Sequence, residues 1–96
     1  YFRLGIRQRL NNLVLLIARF DVSFDEWRIV FVQDEPIRHQ FANDFVVGRV
    51  DNHTAMIKCD VFDPEKMDEI MSIRMAETDI TRLGLSHEIF ELHRTN

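Results

Sequence analysis

The 96-residue sequence contains one cysteine, Cys59, so no disulfide can form within the chain and cysteine use marks no redox compartment. Three glycines are too few to assemble a Gly-rich phosphate loop. No stretch rich in proline, glycine or serine appears, and there is no internal repeat or low-complexity segment. The longest apolar run, Leu13–Ala18, falls far short of the ~18 consecutive apolar residues of a membrane span. It is also shorter than the ~7–15 residues of a secretory h-region, and no small-residue cleavage site follows before Phe20-Asp21. The expectation is therefore no membrane association and a cytoplasmic location. Basic residues are in the minority, 12 Lys and Arg against 16 Asp and Glu, giving a net charge of −4. Nucleic-acid binders usually carry the opposite balance.

The hydrophobic fraction of 46% and charged fraction of 29% are those of an ordinary globular protein. The length suits one small domain, a size at which limited burial is commonly supplemented by assembly. Residues 1–11 carry Arg3, Arg7 and Arg9 without an acid, begin with Tyr1 and show weak periodicity. They are read as an N-terminal tail, native or a remnant from outside the natural reading frame, and 12–96 as the single domain.

The order of elements is strand, helix, strand, strand, helix, strand. Strand one, about Asn12–Phe20, is apolar on both alternating faces. Ser23-Phe24-Asp25-Glu26 has the form of a capping box for helix one, with Phe24, Trp27, Val30, Phe31, Ile37 and Phe41 near one face. Ile29 and Val32 lie off that stripe. Pro36 predicts a kink or break near Gln33–Glu35, because it lacks an N–H and crowds the preceding turn. Asn43-Asp44 breaks the pattern before strand two, Phe45–Asp51, and Asn52-His53 suits a two-residue hairpin to strand three, Thr54–Val61. Asp63 caps helix two with Pro64 at its first position, and Met67, Ile70, Met71 and Met75 form its apolar stripe. A short helical turn around Asp79–Leu83 ends at Gly84, and strand four is Leu85–His93.

Right-handed crossovers place both helices on one face of the sheet. The expected fold class is α+β, a ferredoxin-like βαββαβ domain with a four-stranded antiparallel sheet in the order 4-1-3-2. A sheet with one face in water should alternate, yet strand one does not. A second copy packed on the open face, giving a homodimer, resolves this.

The segment Phe20-Asp21-Val22-Ser23-Phe24-Asp25-Glu26-Trp27, the helix start Asp63-Pro64-Glu65-Lys66-Met67 and the closing Glu88-Ile89-Phe90-Glu91 resemble a family of short uncharacterised proteins, mostly from marine cyanobacteria. The resemblance covers about Asn12 to Arg94 and implies the dimeric α+β barrel form of the fold. The family brings no known activity, so no functional residue is carried over. The wider superfamily includes cofactor-free antibiotic-biosynthesis-type monooxygenases, haem-degrading enzymes and stress-responsive barrels. Haem-degrading members use an Asn, a Trp and a His around the cofactor. Trp27 and His39 fall in no motif that aligns with that trio, and no cofactor is expected.

The strand phases predict a polar group on the open sheet face: Arg49 from strand two, Lys58 and Asp60 from strand three, and His87, Glu91 and His93 from strand four. Enclosed by a partner sheet, these residues form a cavity for an anionic or oxygen-rich small molecule; left in water, they are solvated or paired charges. A one-residue slip moves each to the other face. No metal is expected, because a strand rise of ~3.3 Å per residue separates His87 and Glu91 too far to share an ion. Trp27, Phe24 and Phe31 read as core or as the wall of a pocket. Cys59 reads as a small buried hydrophobe, His39 as exposed, His53 as a turn residue, and Asp34-Glu35 and Asp68-Glu69 as solvated helix charges. An RNA-recognition module shares the strand order, but Met56-Ile57-Lys58-Cys59-Asp60 lacks its stacking aromatics.

Three functions fit this frame. The first is a homodimeric small-molecule-binding or accessory module. The second is a cofactor-independent oxygenase or isomerase, with His87 or His93 as base and Arg49 or Lys58 stabilising an anion. The third is a structural assembly protein using Ile29 and Val32 as contact points.

Overall fold

The computed structural model describes residues 13–93; the predicted tail at 1–11 lies outside them. The elements are β1 (Leu13–Arg19), α1 (Phe24–Gln33), α2 (Glu35–Arg38), β2 (Ala42–Asp51), β3 (Thr54–Val61), α3 (Pro64–Arg74), α4 (Thr78–Thr81) and β4 (Ser86–Glu91). The strands form one antiparallel sheet in the order β2-β3-β1-β4, the predicted order read from the other edge.

Local chemistry accounts for the helix boundaries. Ser23 is the N-cap of α1, its Oγ accepting from the Glu26 N–H at 3.2 Å. Asp63 does the same for α3, accepting from the Lys66 N–H at 3.0 Å, with Pro64 in the first turn. Pro36 sits in the first turn of α2, so the expected break is real: α1 stops at Gln33 and a short second helix begins. Gly84, at φ +65°, follows α4, and a Cβ there would run into the Asp21 carboxylate.

Val14, Leu16 and Ala18 of β1 face the helices together with Ala55, Ile57, Cys59 and Val61 of β3, and all seven are buried. Trp27 and Val30 of α1, Met67 of α3, Ile80 of α4 and Leu83 close over them. The other face carries Leu15, Ile17, Met56 and Phe90 side by side, Leu15 being paired with Phe90 and Ile17 with Met56. Phe90 is 44% exposed and Met56 39%. The two-sided apolar character of β1 is therefore real.

Two strand phases differ from expectation. In β2 the register shifts between Arg49 and Asp51, so Arg49 opposes Ala55 on the helix side. A regular hairpin would set it opposite Met56 on the open face; one extra residue beside the turn reverses the phase. Asn43-Asp44 does not precede the strand but lies within it, at a second register shift where Asp44 adopts φ 56°. In β4, His87 pairs with Ala18, Ile89 with Leu16 and Glu91 with Val14, all on the helix side.

Candidate functional site

The open-face polar group does not assemble. Lys58 and Asp60 are on that face, Asp60 opposite Leu13 and Lys58 between Leu15 and Val46. Arg49 is on the helix side, its guanidinium 5.4 Å from the Phe24 ring centre and 3.5 Å from Asn52 Oδ1. His87 and Glu91 are half-buried on the helix side, and His93 is exposed beyond the end of β4. Both alternating sets of β4 hold one large apolar residue, Ile89 or Phe90, so apolar content gave the phase no preference. Among the described residues, no three His, Cys, Asp or Glu side chains come together as a metal site.

A different site exists between the sheet and the helices. It is a cavity of about 100 Å³ with mostly aromatic and aliphatic walls. Leu16, Ile57 and Cys59 form the sheet side; Trp27, Val30 and Phe31 of α1 and Met67 and Met71 of α3 form the helix side, with Phe41, Phe45, Leu83 and Leu85 around them. An aromatic row organises the α1 wall: Trp27 stacks on Phe20 at 5.1 Å and on Phe31 at 5.0 Å, and Phe45 meets Phe31 edge-on at 6.4 Å. Trp27 is thus both core and cavity wall.

Five polar residues reach this cavity: Asp34, Arg38, Cys59, Arg74 and His87. Arg74 donates from Nε and Nη2 to Asp34 at 2.9 and 3.0 Å, and from Nη1 and Nη2 to Asp79 at 2.7 Å each. Glu77 stands 3.3 Å from its Nη1. The bonds from Asp79 and then Asp34 hold the Arg74 guanidinium well above its ordinary pKa, and Arg74 in turn holds Asp79 below the usual carboxylate range. The guanidinium of Arg38 lies 3.5 Å from the ring centre of Phe31 and 5.1 Å from that of Phe45, and it donates to the Phe31 carbonyl. Burial lowers its pKa, with Glu35 and Asp34 acting in the opposite direction. Burial pushes the His87 imidazole down to about 4, so it is neutral at pH 7. Burial, reinforced by Asp60, pushes the Cys59 thiol up to about 11, which leaves it protonated and unreactive, as its sequence setting suggested.

Of the six polar residues predicted for a cavity only His87 lines this one, from the opposite face to the one expected; of the three aromatics read as core or pocket wall, Trp27 and Phe31 line it and Phe24 does not. Asp34, Arg38 and Arg74 were missed. Asp34 read as half of a solvated charge pair, whereas its side chain is 18% exposed and bonded to a residue forty positions away. His39 is exposed and His53 lies in the β2–β3 turn, as expected; His53 fastens that turn to the β1–α1 loop through Nδ1 and the Val22 carbonyl, 2.9 Å apart.

No family model matches the sequence, and no curated protein matches it either. Among solved structures the chain is similar to SnoaB, a cofactor-independent oxygenase from Streptomyces nogalater. The TM-score is 0.64 at 11% identity, over 90% of this chain and 97% of that one. The likeness establishes the α+β sheet-and-helix fold. Among the described residues, no helix is long and apolar enough to cross a membrane.

Proposed function

We propose that this chain is a homodimeric small-molecule-binding domain whose ligand occupies the helix-side cavity. One observation carries the reading: an apolar, aromatic-walled space of about 100 Å³ with a few convergent polar groups. An apolar cavity of ~150 Å³ holds benzene, so a space of about 100 Å³ sets a single small ring as the upper limit of the ligand's buried part. The homodimer is supported by Leu15, Ile17, Met56 and Phe90 on the uncovered sheet face, where a second copy would remove them from water. Kinship with the short cyanobacterial family belongs to the same proposal.

A second reading, cofactor-independent oxygenation, is favoured by the fold shared with SnoaB. Here neither His93, the alternative base, nor Arg49 or Lys58, the expected anion stabilisers, lines the cavity that His87 lines. His87, with its imidazole held near 4, would orient a substrate oxygen by hydrogen bonding more readily than take its proton.

The reading is tested by native mass spectrometry of freshly purified protein, followed by titration with benzyl alcohol on the emission of Trp27, the one tryptophan in the chain. A retained organic molecule, or saturable change in emission, is the expected result. Apoprotein mass together with no saturable change overturns it. Oxygen uptake on adding a phenol or enol that reacts slowly alone distinguishes the oxygenase from a binding module.

A further inference from the structure

Two arginines reach the cavity wall, and they differ in what they are bonded to. Arg74 has four hydrogen bonds to the carboxylates of Asp34 and Asp79 and an additional ion pair with Glu77. Arg38 forms one hydrogen bond, to the Phe31 carbonyl, and no ion pair with a carboxylate among the described residues. Its Nε has neither an acceptor nor accessible surface, so a ligand in the cavity would meet the two Nη groups. Arg38 is half-buried, and a charged donor group partly withdrawn from water and short of acceptors is costly. The nearest carboxylate in its field that also lines the cavity, Asp34, is already engaged by Arg74.

We propose that Arg38 receives the carboxylate of a flat aromatic monoanion bound in this cavity, an inference that rests on the cavity being a ligand site. A guanidinium 3.5 Å from the Phe31 ring centre and bonded to the Phe31 carbonyl is held in place, so little freedom remains to be lost when a carboxylate accepts its N–H groups. The Trp27–Phe31 row supplies the wall against which a ring would pack. Nothing else on the wall opposes the anion by charge except Asp34, which is bonded to Arg74, because the Cys59 thiol and the His87 imidazole are both neutral at pH 7. The competing role for Arg38 is a cation–π cover over Phe31 with no ligand contact.

Benzoate and benzamide, nearly identical in shape, separate these roles when titrated against the wild-type protein by calorimetry and by Trp27 emission. Benzoate is expected to bind at least about tenfold more tightly than benzamide, the worth of roughly one charge-assisted bond. In Arg38→Gln the preference for benzoate over benzamide should fall to near unity, and Arg38→Lys should restore part of it. Equal binding of the two probes by wild type overturns the anion assignment and leaves the cavity reading standing. Binding of neither overturns both. Should Arg38→Gln fail to fold by circular dichroism, the wild-type comparison decides without it.

Discussion

Replacing Arg74 by Met removes the cation that joins the α1–α2 junction to the α3–α4 end of the helical layer. Arg74 and Asp34 are 13% and 18% exposed in their side chains and share two hydrogen bonds. Breaking a fully buried pair costs roughly 3–5 kcal/mol, whereas exposed pairs are worth about 0.2–1 kcal/mol. The geometry here lies nearer the first case, because the substitution strands Asp34 beside an apolar cavity. A loss of about 2–3 kcal/mol is expected, with little contribution from the exposed Asp79 and Glu77 carboxylates. For a domain of this size that corresponds to a fall in Tm of roughly 10–20 °C. Urea and thermal melts at pH 7 read it, with an unchanged m-value showing that the unfolded state is not the cause. The double variant Arg74→Met with Asp34→Leu should recover most of the loss, since removing both charges leaves none stranded. A loss under about 1 kcal/mol for Arg74→Met would refute the reasoning, placing the network among solvated surface pairs.

Ser23→Ala should cost about 1 kcal/mol in a urea melt by removing the α1 cap; an unchanged midpoint would show that the helix is capped elsewhere. Gly84→Ala should cost roughly 1–2 kcal/mol, chiefly from φ +65°, since the exposed Asp21 side chain can swing away. Leu15→Asp and Phe90→Asp should convert a dimer to a monomer by light scattering, an obligate interface of this kind burying more than about 2,000 Å²; wild type already monomeric at micromolar concentration would refute the pairing. His87 titrates lower in the fold, about 4, than its ordinary 6.5, so the unfolded chain binds the proton first. Its stabilising contribution is complete above pH 6.5 and is lost as pH falls toward 4, on the order of a few kcal/mol. His87→Leu should flatten the stability profile across that window, and an unaltered slope would show that the imidazole is solvated.

Most of the fold was legible because it rests on local signals. The Ser23 and Asp63 caps, the break at Pro36, the Asn52-His53 turn and the alternation of β3 each occupy a few adjacent residues and met no competing preference. The site was not legible, for two physical reasons. One extra residue between Arg49 and Asp51 reverses the phase of β2, and no residue type in that stretch announces it. Over the predicted strand Leu85–His93 one alternating set holds Leu85 and Ile89 and the other Phe90 and Leu92, so burial could be read either way from the sequence. The Asp34–Arg74 contact joins residues forty positions apart and follows only from packing. Strand β1 gave the opposite lesson: its apolar residues on both faces were visible in the sequence and are found on both faces of the sheet.

The central claim is that small molecules enter between the sheet and the helices and not onto the open sheet. A ¹H–¹⁵N and methyl NMR titration with benzyl alcohol tests it most directly. The account predicts saturable shifts at the Trp27 indole, the Met67 and Met71 methyls and His87, with Leu15, Lys58 and Phe90 unmoved. Shifts confined to Leu15, Lys58 and Phe90 would contradict it.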